Sequence, residues 1–480
     1  MIARSRFNVI FALLLIAAFA ACASPAAAPA MPAVGPSATA AAAISETPPA
    51  SVPFSLSALA VQRASDSDRL LLSPVDPETG YALSGHTPID LGVNFYYRVT
   101  PDGKTLIFSS YPSAQPSRAA VRFLDLSGWS ETVGLQLTSR GWTSALAISP
   151  DGSRLALATV EARQSSLWLV DIDNHILLAH IQTPLYIAGM DFTADNEGLM
   201  LYGRQERTDT GLSQGPPVAE FRSAQDLELL WSRTLKSVRD GFEPNAEFKG
   251  DSREPGAGTT YRPAAVFAPS AHTLYIVHAD SDQLTRVDFA RKSTLTRDIQ
   301  PGRSWFERLL ALGTGTAHAK VQDGKERQAV ISPDGKIVYS LGVQNELTKK
   351  SNGTWKLKQT PLQLQAIRVE DAIELFRSQA AGDSLSLSAD AQTILVHRWD
   401  YARGEVGGTV EVSAKGGVVI REAPGLELRP TRRLDGSPLL VSAALSWGGQ
   451  GESTMSTFDL EMTLLGSWKT TGYGDWIMLP

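Results

Sequence analysis

Few stretches of this sequence combine residue types that could catalyse a reaction. The residues Gly211-Leu212-Ser213-Gln214-Gly215 match the nucleophile elbow of a hydrolase, in which a serine occupies a sharp turn between a strand and a helix. Here polar residues precede the motif and Pro216-Pro217 follow it, so the flanking sequence does not predict a strand and a helix. A polar loop explains this stretch better than a catalytic serine.

Metal-binding residue types are scattered along the chain. The seven histidines fall in different segments, and no two of them have the spacing of a helical metal site. Asp171, Asp173 and Asn174 are neighbours, but the glycine and the distal glutamate of a calcium-binding loop are missing. The sequence therefore predicts no cofactor and no metal site, although a ring-shaped fold can still assemble ligands from distant segments.

Any site must be positioned by a short unit that recurs up to the C-terminus. Its best copy is Ile148–Leu157, in which Ser149-Pro150-Asp151-Gly152 supplies type I turn chemistry between two runs of alternating apolar residues. This pattern predicts two antiparallel strands joined by a tight turn. Weaker copies occupy Val99–Gly103, Phe192–Asn196, Phe267–Ser270, Ile331–Gly335, Leu387–Asp390 and Arg433–Gly436.

The copies continue with a third strand, a short turn and a fourth strand, and the third strand ends in an apolar residue and Asp except at Phe221-Arg222, Val369-Glu370 and Val410-Glu411. Leu124-Asp125, Val170-Asp171 and Val287-Asp288 are examples of this ending. Four strands per unit, repeated many times, predict an all-β fold, a β-propeller of four-stranded blades. Units begin near Asn94, Ser144, Ile187, Ala264, Ala329, Ser384, Leu426 and Asp475, which favours eight blades, with seven as the alternative.

The last unit stops after its first strand, Asp475–Leu479. The start of the domain offers the missing strands: Leu59–Gln62 as the second, Leu70–Asp76 as the third and Tyr81–Ser84 as the fourth. Pairing of the N- and C-terminal strands in one blade would close the ring and remove a free sheet edge.

The repeats resemble known propeller families. Ile148–Asp171 is similar to the WD40-like repeats of TolB-type periplasmic propellers, and Leu274–Asp288 is similar to YVTN-type surface propellers. The resemblance implies the fold, and some YVTN-like relatives imply a hydrolase or lactonase with its site in the central channel. Motifs this short carry over no catalytic residue.

The N-terminus has the features of a secretory signal, because Arg4 and Arg6 precede the apolar run Val9–Ala18. Cys22, the single cysteine, resembles the lipidated cysteine of bacterial lipoproteins, whereas Phe19 departs from the aliphatic residue usual in that family. Residues 1–21 are thus expected to be a signal peptide, 22–54 an Ala- and Pro-rich disordered tether and 55–480 the propeller. The protein is expected on the outer side of the cytoplasmic membrane or on the cell surface, or free outside if Cys22 is not lipidated.

Several units exceed the roughly 40 to 45 residues of a minimal blade. The extra residues fall between second and third strands or between a fourth strand and the next first strand, and both connections emerge on one face of a propeller. That face is the candidate binding face, although neutral drift of tolerant loops is the alternative explanation. The insertions are Tyr111–Arg118, Arg204–Pro217, Gln344–Lys358, Asp400–Gly408, Ser237–Thr260 and Gln300–Arg327, and the last contains a capping box and an amphipathic helix at Ser304–Gly313.

Aromatic and charged residues precede or begin the first strands, near the expected channel mouth. As a group they are a candidate binding rim, because Tyr, Trp and Arg often anchor partners, although each taken singly suits packing between blades. The net charge of −6 and the lack of a basic cluster argue against nucleic acid. The sequence favours a non-catalytic binding or scaffold protein of the cell envelope, with a protein or glycan partner, over a channel hydrolase. The rim residues are Trp142, Tyr186, Tyr261, Arg262, Asp383, Tyr473 and Asp475.

Overall fold

Tight turns of one kind recur throughout the fold and explain why the repeat forms strands. In the best copy, the Ser149 hydroxyl donates to Asp151 Oδ1 at 2.6 Å and accepts from the Arg154 backbone N–H at 2.8 Å. Gly152 closes the turn at a φ of 76°, in the left-handed region that favours glycine. Ser332 and Ser388 make the same side-chain bonds in later copies. Each turn is thus encoded locally by its own side chains.

The computed structural model describes residues 53–63, 69–111, 120–138, 141–161, 164–207, 213–244, 258–301, 323–349, 355–388, 390–401, 405–445 and 452–479. The fold is all-β, with 66% of residues in strands and 2% in helices. Phe54–Leu56 and Pro269–Ala271 form short 3-10 helices. The signal segment, Cys22 and the helix expected at Ser304–Gly313 lie outside the described residues.

The strands follow one another in chain order as β1 (Ala58–Arg63), β2 (Leu70–Val75), β3 (Ile89–Val99), β4 (Thr105–Tyr111), β5 (Ala120–Asp125), β6 (Ser130–Gln136), β7 (Trp142–Ile148), β8 (Arg154–Glu161), β9 (Gln164–Asp171), β10 (Ile176–Thr183), β11 (Tyr186–Phe192), β12 (Gly198–Arg204), β13 (Glu206–Arg207), β14 (Ser213–Gln214), β15 (Val218–Ser223), β16 (Leu229–Thr234), β17 (Gly241–Pro244) and β18 (Gly258–Tyr261). They continue as β19 (Ala264–Ala268), β20 (Thr273–Val277), β21 (Gln283–Asp288), β22 (Ser293–Asp298), β23 (Gln300–Pro301), β24 (Asp323–Ile331), β25 (Ile337–Lys349), β26 (Trp355–Arg368), β27 (Ile373–Gly382), β28 (Ser384–Leu387), β29 (Thr393–Asp400), β30 (Glu405–Ser413), β31 (Val419–Pro424), β32 (Arg429–Arg432), β33 (Pro438–Leu445), β34 (Glu452–Phe458), β35 (Leu464–Thr471) and β36 (Gly474–Trp476).

These strands form eight four-stranded blades of a β-propeller, which confirms the predicted fold and the preferred blade number. Blade 1 is β3–β6, blade 2 is β7–β10, blade 3 is β11, β12, β15 and β16, and blade 4 is β19–β22. Blade 5 is β24–β27, blade 6 is β28–β31, blade 7 is β32–β35, and blade 8 is β36, β1, β2 and the start of β3. The first strand of each blade is innermost, so the first strands start on one face, here called the insertion face. The turns between first and second and between third and fourth strands lie on the opposite, short-turn face.

The two chain ends close the ring inside blade 8, as predicted. Ala60 of β1 lies opposite Trp476 of β36, and the Ile477 backbone N–H donates to Leu59 O at 2.9 Å. The prediction for the fourth strand was wrong in detail, because Tyr81–Ser84 forms only an isolated bridge between Ala82 and Val75. The regular pairing to β2 comes from the start of β3, which continues past a bulge into the innermost strand of blade 1. One long strand therefore serves two blades.

The hydrophobic core lies between consecutive blades. One cluster joins Ala156 and Leu167 of blade 2 to Ile187 and Phe192 of blade 3, and all four side chains are buried. Comparable clusters join the blades that follow. Alternation along each strand sends apolar side chains to the two neighbouring blades, so stacking of repeats supplies the core that a single blade lacks.

Candidate functional site

The predicted rim residues occupy comparable positions at the insertion face. Trp142 and Tyr186 are the first residues of β7 and β11, and Asp383 directly precedes β28. Tyr473 directly precedes β36, whereas Tyr261 ends β18, just before the first strand of blade 4. These residues therefore lie at the starts of blades 2, 3, 4, 6 and 8, but their surroundings differ, and their role in binding stays a prediction.

A first cluster joins the chain ends to both neighbouring blades. The Arg429 guanidinium of blade 7 forms a salt bridge with the Asp475 carboxylate of blade 8. The Tyr473 hydroxyl donates to Asp475 Oδ2 at 3.0 Å, and burial, together with the Asp475 charge, raises the pKa of this phenol. From blade 1, the Tyr97 hydroxyl accepts the Met478 backbone N–H at 2.9 Å. Tyr473 and Asp475 thus stabilise ring closure, and Asp475 is buried.

A second cluster is centred on Asp240, whose side chain is fully buried. Asp240 lies in the connection from blade 3 to blade 4 and accepts hydrogen bonds from the Tyr202 hydroxyl at 2.6 Å and from Arg204 Nε at 2.9 Å. Burial alone would lower the pKa of Arg204, but the charge of Asp240 raises it. The Arg204 guanidinium lies over the Tyr186 ring, 5.8 Å from its centroid. This cluster holds the start of a long insertion against the propeller body.

A neighbouring guanidinium covers Tyr261. Arg239 lies 4.7 Å from the Tyr261 ring centroid and forms an ion pair of 2.8 Å with Glu243. Tyr261 is only 7% exposed. At Tyr186 and Tyr261, two of the rim positions, the aromatic rings therefore pack under arginine side chains.

The remaining rim residues lie between blades 4 and 6. Arg262 runs beside β24, with its backbone N–H donating to Lys325 O at 2.9 Å and its guanidinium Nε 3.9 Å from Glu326 Oε2. Burial raises the pKa of Tyr401, and the negative charges of Asp383 and Glu326 raise it further. Glu326 lies on β24 of blade 5, and Asp383 lies in the connection from blade 5 to blade 6.

Three hairpins extend the insertion face of neighbouring blades. Strands β13 and β14 pair beyond the second strand of blade 3, and β17 and β18 pair between blades 3 and 4. In blade 5, β25 and β26 remain paired as far as Lys349 and Trp355. Segments predicted as insertions in blades 3 to 5 thus form β-structure of their own, and Ser213 of the elbow-like motif belongs to strand β14, not to a strand–helix corner.

The domain begins on the opposite side. The Phe54 ring stacks on His86 with centroids 4.4 Å apart and meets the edge of Trp129 at 6.0 Å. Ser57 O accepts from the Leu434 backbone N–H, 3.0 Å away, in the first-to-second-strand turn of blade 7. Trp129 lies in the third-to-fourth-strand turn of blade 1. Phe54 is therefore held on the short-turn face.

One carboxyl group on an innermost strand has an unusual titration. Burial raises the pKa of Asp191, on β11, to about 6, although the Phe192 N–H and the charge of Arg98 favour its ionised form. A carboxyl group with such a pKa is able to exchange protons near neutral pH. Sequence reasoning missed Asp191 because nothing in Asp191-Phe192 reveals burial.

Replacing Asp191 with Asn tests this titration. In the folded state the Asp191 carboxyl group keeps its proton up to about pH 6, whereas the ordinary pKa of an aspartate is 3.8. The wild-type protein therefore loses unfolding free energy as the pH rises from 3.8 to about 6, because folding then holds a proton that the unfolded chain releases. We expect Asp191→Asn to exceed wild type in unfolding free energy at pH 7 by about 2 to 3 kcal/mol and by much less at pH 4.5. Urea unfolding at both pH values measures the difference. A gain that does not change with pH would contradict the assignment.

Neither a metal cluster nor a membrane helix is found in the described part of the chain. Among those residues, no three or more His, Cys, Asp or Glu side chains are grouped so that they could hold a metal ion. Within the same residues, none of the helices has the length and apolar character needed to cross a bilayer.

Comparison with known proteins found solved structures of low sequence identity. No family model matches the sequence, and no curated protein matches it. Dihydro-heme d1 dehydrogenase NirN in complex with DHE is similar over 88% of this chain and 75% of its own, with 11% identity and a TM-score of 0.49. The Cps50 (Swd1) β-propeller domain of Myceliophteria thermophila is similar over 80% of this chain and 99% of its own, with 12% identity and a TM-score of 0.42. Similarity at this level carries no conclusion about the ligand or the activity of this chain.

Proposed function

We propose that this protein is an exported, lipid-anchored β-propeller that binds a component of the cell envelope through its insertion face and has no catalytic role. The observation that carries the proposal is the grouping of three hairpin extensions on blades 3 to 5, all on one face. Segments that carry recognition gather where a rigid scaffold presents them. The short-turn face lacks comparable hairpins among the described residues and keeps its repeated tight turns.

The position of Phe54 at the start of the domain also supports the insertion face as the binding face. Phe54 packs on His86 and Trp129 at the short-turn face. A tether that ends at about residue 54 would therefore join the propeller at the short-turn face, and the three hairpins of the insertion face would stay free of the attachment point.

Shortening the hairpins tests the binding face. The variant replaces residues 243–259 and 347–357 with short Gly-Ser turns and keeps Asp240 and the body of blade 5. We expect recovery of co-purifying envelope components from solubilised membranes to fall at least about tenfold, because the contact surface is removed. A control with Lys104→Ala and Lys336→Ala, both exposed on the short-turn face, should recover the same components as wild type. Unchanged recovery by the shortened variant would refute the assignment of this face.

Replacing Cys22 with Ser tests the anchor. We expect the variant to lose labelling by a fatty-acid analogue and to move from the membrane fraction to the soluble exported fraction, because no thiol remains for the lipid. A variant with Ser24→Ala is the matched control and should fractionate as wild type. Labelling of Cys22→Ser equal to that of wild type would show that the anchor is not at this residue.

A channel hydrolase or lactonase is the second candidate, and the Asp191 carboxyl group favours it. Its pKa of about 6 would suit a general base near neutral pH. If this candidate is right, the purified protein should hydrolyse model esters or lactones. The rate should rise as the pH passes through 6, and Asp191→Asn should have no activity. Absence of turnover across the substrate panel would leave the binding function as the better account.

A further inference from the structure

The sheet of blade 5 continues beyond the propeller body on the insertion face. Strands β25 and β26 have 13 and 14 residues, whereas the first strand of blade 6 has four. Pairing of β24 with β25 begins at Asp323 and Glu346, so three strands take part in the extension. Such a sheet has two separate faces, because side chains alternate along each strand.

The face toward blade 4 is used for packing and solvent. Arg327 has a side chain only 7% exposed and donates to Asp282 Oδ1 at 3.2 Å, in the loop between the second and third strands of blade 4. Further out on the same face, Lys358 and Glu346 lie opposite each other and form an exposed ion pair of 3.5 Å. An exposed pair of this kind contributes little to stability.

The other face carries a row of hydrogen-bonded polar side chains. Gln359 Nε2 donates to Asn345 Oδ1 at 3.0 Å, and Asn345 Nδ2 donates to Glu326 Oε1 at 3.3 Å. The three side chains come from three adjacent strands and are half-buried. Their mutual bonds fix the orientation of each amide, so the remaining amide and carboxylate positions point in defined directions.

Blade 6 lies against blade 5 at this end of the sheet, because Arg398 Nε near the end of β29 donates to Ala381 O of β27 at 3.2 Å. Tyr401 directly follows β29, and burial raises the pKa of its phenol, which the charges of Asp383 and Glu326 raise further. Arg262 approaches from the channel side, with its guanidinium 3.9 Å from Glu326. We call this site the blade 5/6 cleft, and it consists of Arg262, Glu326, Asn345, Gln359, Asp383 and Tyr401.

The carboxylate, amide, guanidinium and phenol groups of the cleft together restrict which class of ligand can bind. An inorganic anion would meet the carboxylates of Glu326 and Asp383, and a simple cation would meet the guanidinium of Arg262 and would leave the amide N–H groups unused. A compound with adjacent hydroxyl groups suits both kinds of partner, because each hydroxyl donates one hydrogen bond and accepts others. The phenol of Tyr401 adds an aromatic group from blade 6, and a few oriented polar groups together with an aromatic side chain are typical of small-molecule sites.

We propose that the blade 5/6 cleft binds a neutral sugar of an envelope glycan. This proposal rests on the proposed binding function and names its ligand class. The carboxylates of Glu326 and Asp383 accept sugar hydroxyl protons, whereas Asn345, Gln359 and Arg262 donate to sugar oxygens. Peptides and acidic glycans are the alternatives that the experiment separates.

The test uses the full-length protein in detergent on an array of neutral, N-acetylated and uronic-acid oligosaccharides, followed by calorimetric titration of the best neutral compound. We expect neutral sugars to bind, and Asn345→Ala with Gln359→Ala to weaken binding about tenfold or more, because at least two hydrogen bonds are lost. Tyr401→Phe keeps the ring and should weaken binding severalfold, and it provides a second readout if the double variant is unstable. Lys358→Ala is the matched control, since Lys358 precedes Gln359 but lies on the other face, and its affinity should stay within twofold of wild type.

Three results would overturn the sugar assignment. They are no binding of neutral sugars by wild type, binding of uronic acids alone, and a loss in Lys358→Ala equal to that in the double variant. If the double variant still captures an envelope protein and the shortened variant does not, the sugar proposal is rejected and the binding function stands. If both variants still capture it, both proposals are rejected.

Discussion

Replacing Asp240 with Ala is expected to lower the unfolding free energy by about 3 to 5 kcal/mol. The carboxylate is fully buried, and it is the partner of the Arg204 guanidinium at 2.9 Å and of the Tyr202 hydroxyl at 2.6 Å. Removing it leaves the buried Tyr202 hydroxyl and the Arg204 guanidinium, whose side chain is 21% exposed, without their acceptor. The cost comes from these uncompensated partners more than from the lost attraction.

Urea unfolding of a small series separates these contributions. Asp240→Asn keeps an oxygen acceptor for Tyr202 but removes the negative charge, so its loss should be intermediate. Adding Arg204→Met to Asp240→Ala removes the stranded cation and should recover about 2 kcal/mol or more. Arg239→Ala is the neighbouring control, because its ion pair with Glu243 is about half exposed and should cost less than about 1 kcal/mol. Equal losses in Asp240→Ala and Arg239→Ala would show that the cluster does not stabilise the fold.

The same series bears on binding. Asp240 directly precedes β17, so its bonds to the second strand of blade 3 set where the β17–β18 hairpin leaves the body. If the insertion face recognises a partner, Asp240→Asn should weaken capture even at temperatures where the protein stays folded. Arg239→Ala should lower capture only if Arg239 itself contacts the partner.

The propeller was predictable from sequence because its turns are local. Ser149, Asp151 and Gly152 form their turn with bonds among neighbours, and the copies around Ser332 and Ser388 do the same. Because such turns recur at regular spacing, the number and order of the strands can be predicted without knowing which distant residues are in contact. The closure of blade 8 followed from counting strands, because the last unit and the first segment each lack what the other has.

The candidate site was predictable only in position. The first strands begin at the insertion face, so residues such as Trp142 and Tyr186 are brought there by the repeat alone. Their partners come from distant segments: Asp240 is 36 positions from Arg204, and Arg429 is 46 from Asp475. No local pattern reveals which carboxylate meets which guanidinium, so the covering of Tyr261 and the burial of Asp475 were not foreseen.

The polar row of blade 5 was missed for another reason. The sequence predicts an insertion at Gln344–Lys358 without a structure for it, whereas much of this segment continues the two strands of the blade. Once strands are assigned, alternation separates Asn345 and Gln359 from Glu346 and Lys358. The sequence contains that alternation, but hydrophobic periodicity cannot reveal a strand whose two faces are both polar.

Replacing Trp476 with Ala is expected to cost about 3 to 5 kcal/mol of unfolding free energy and to loosen the ring at blade 8. Trp476 is 1% exposed, its indole Nε1 donates to Ser442 O at 2.9 Å, and its ring meets Trp468 edge-on at 5.5 Å. It packs with Val441 and Met455 of blade 7, so its loss leaves a cavity between the last two blades.

The loss of stability in Trp476→Ala should be concentrated where the chain ends pair, because β36 has only three residues and depends on the Trp476 side chain for its position. Hydrogen exchange should therefore rise most in β1 and β36, with little change in blade 3. Trp476→Phe keeps most of the apolar contact and loses the hydrogen bond to Ser442, so its cost should be smaller than that of Trp476→Ala. Leu464→Ala removes a large apolar side chain of blade 7 that is 55% exposed, and it should cost less than about 1 kcal/mol. If Trp476→Ala unfolds at the same urea concentration as Leu464→Ala and exchange in β1 is unchanged, the ring is held by contacts other than the buried indole, and the paired chain ends are not what closes it.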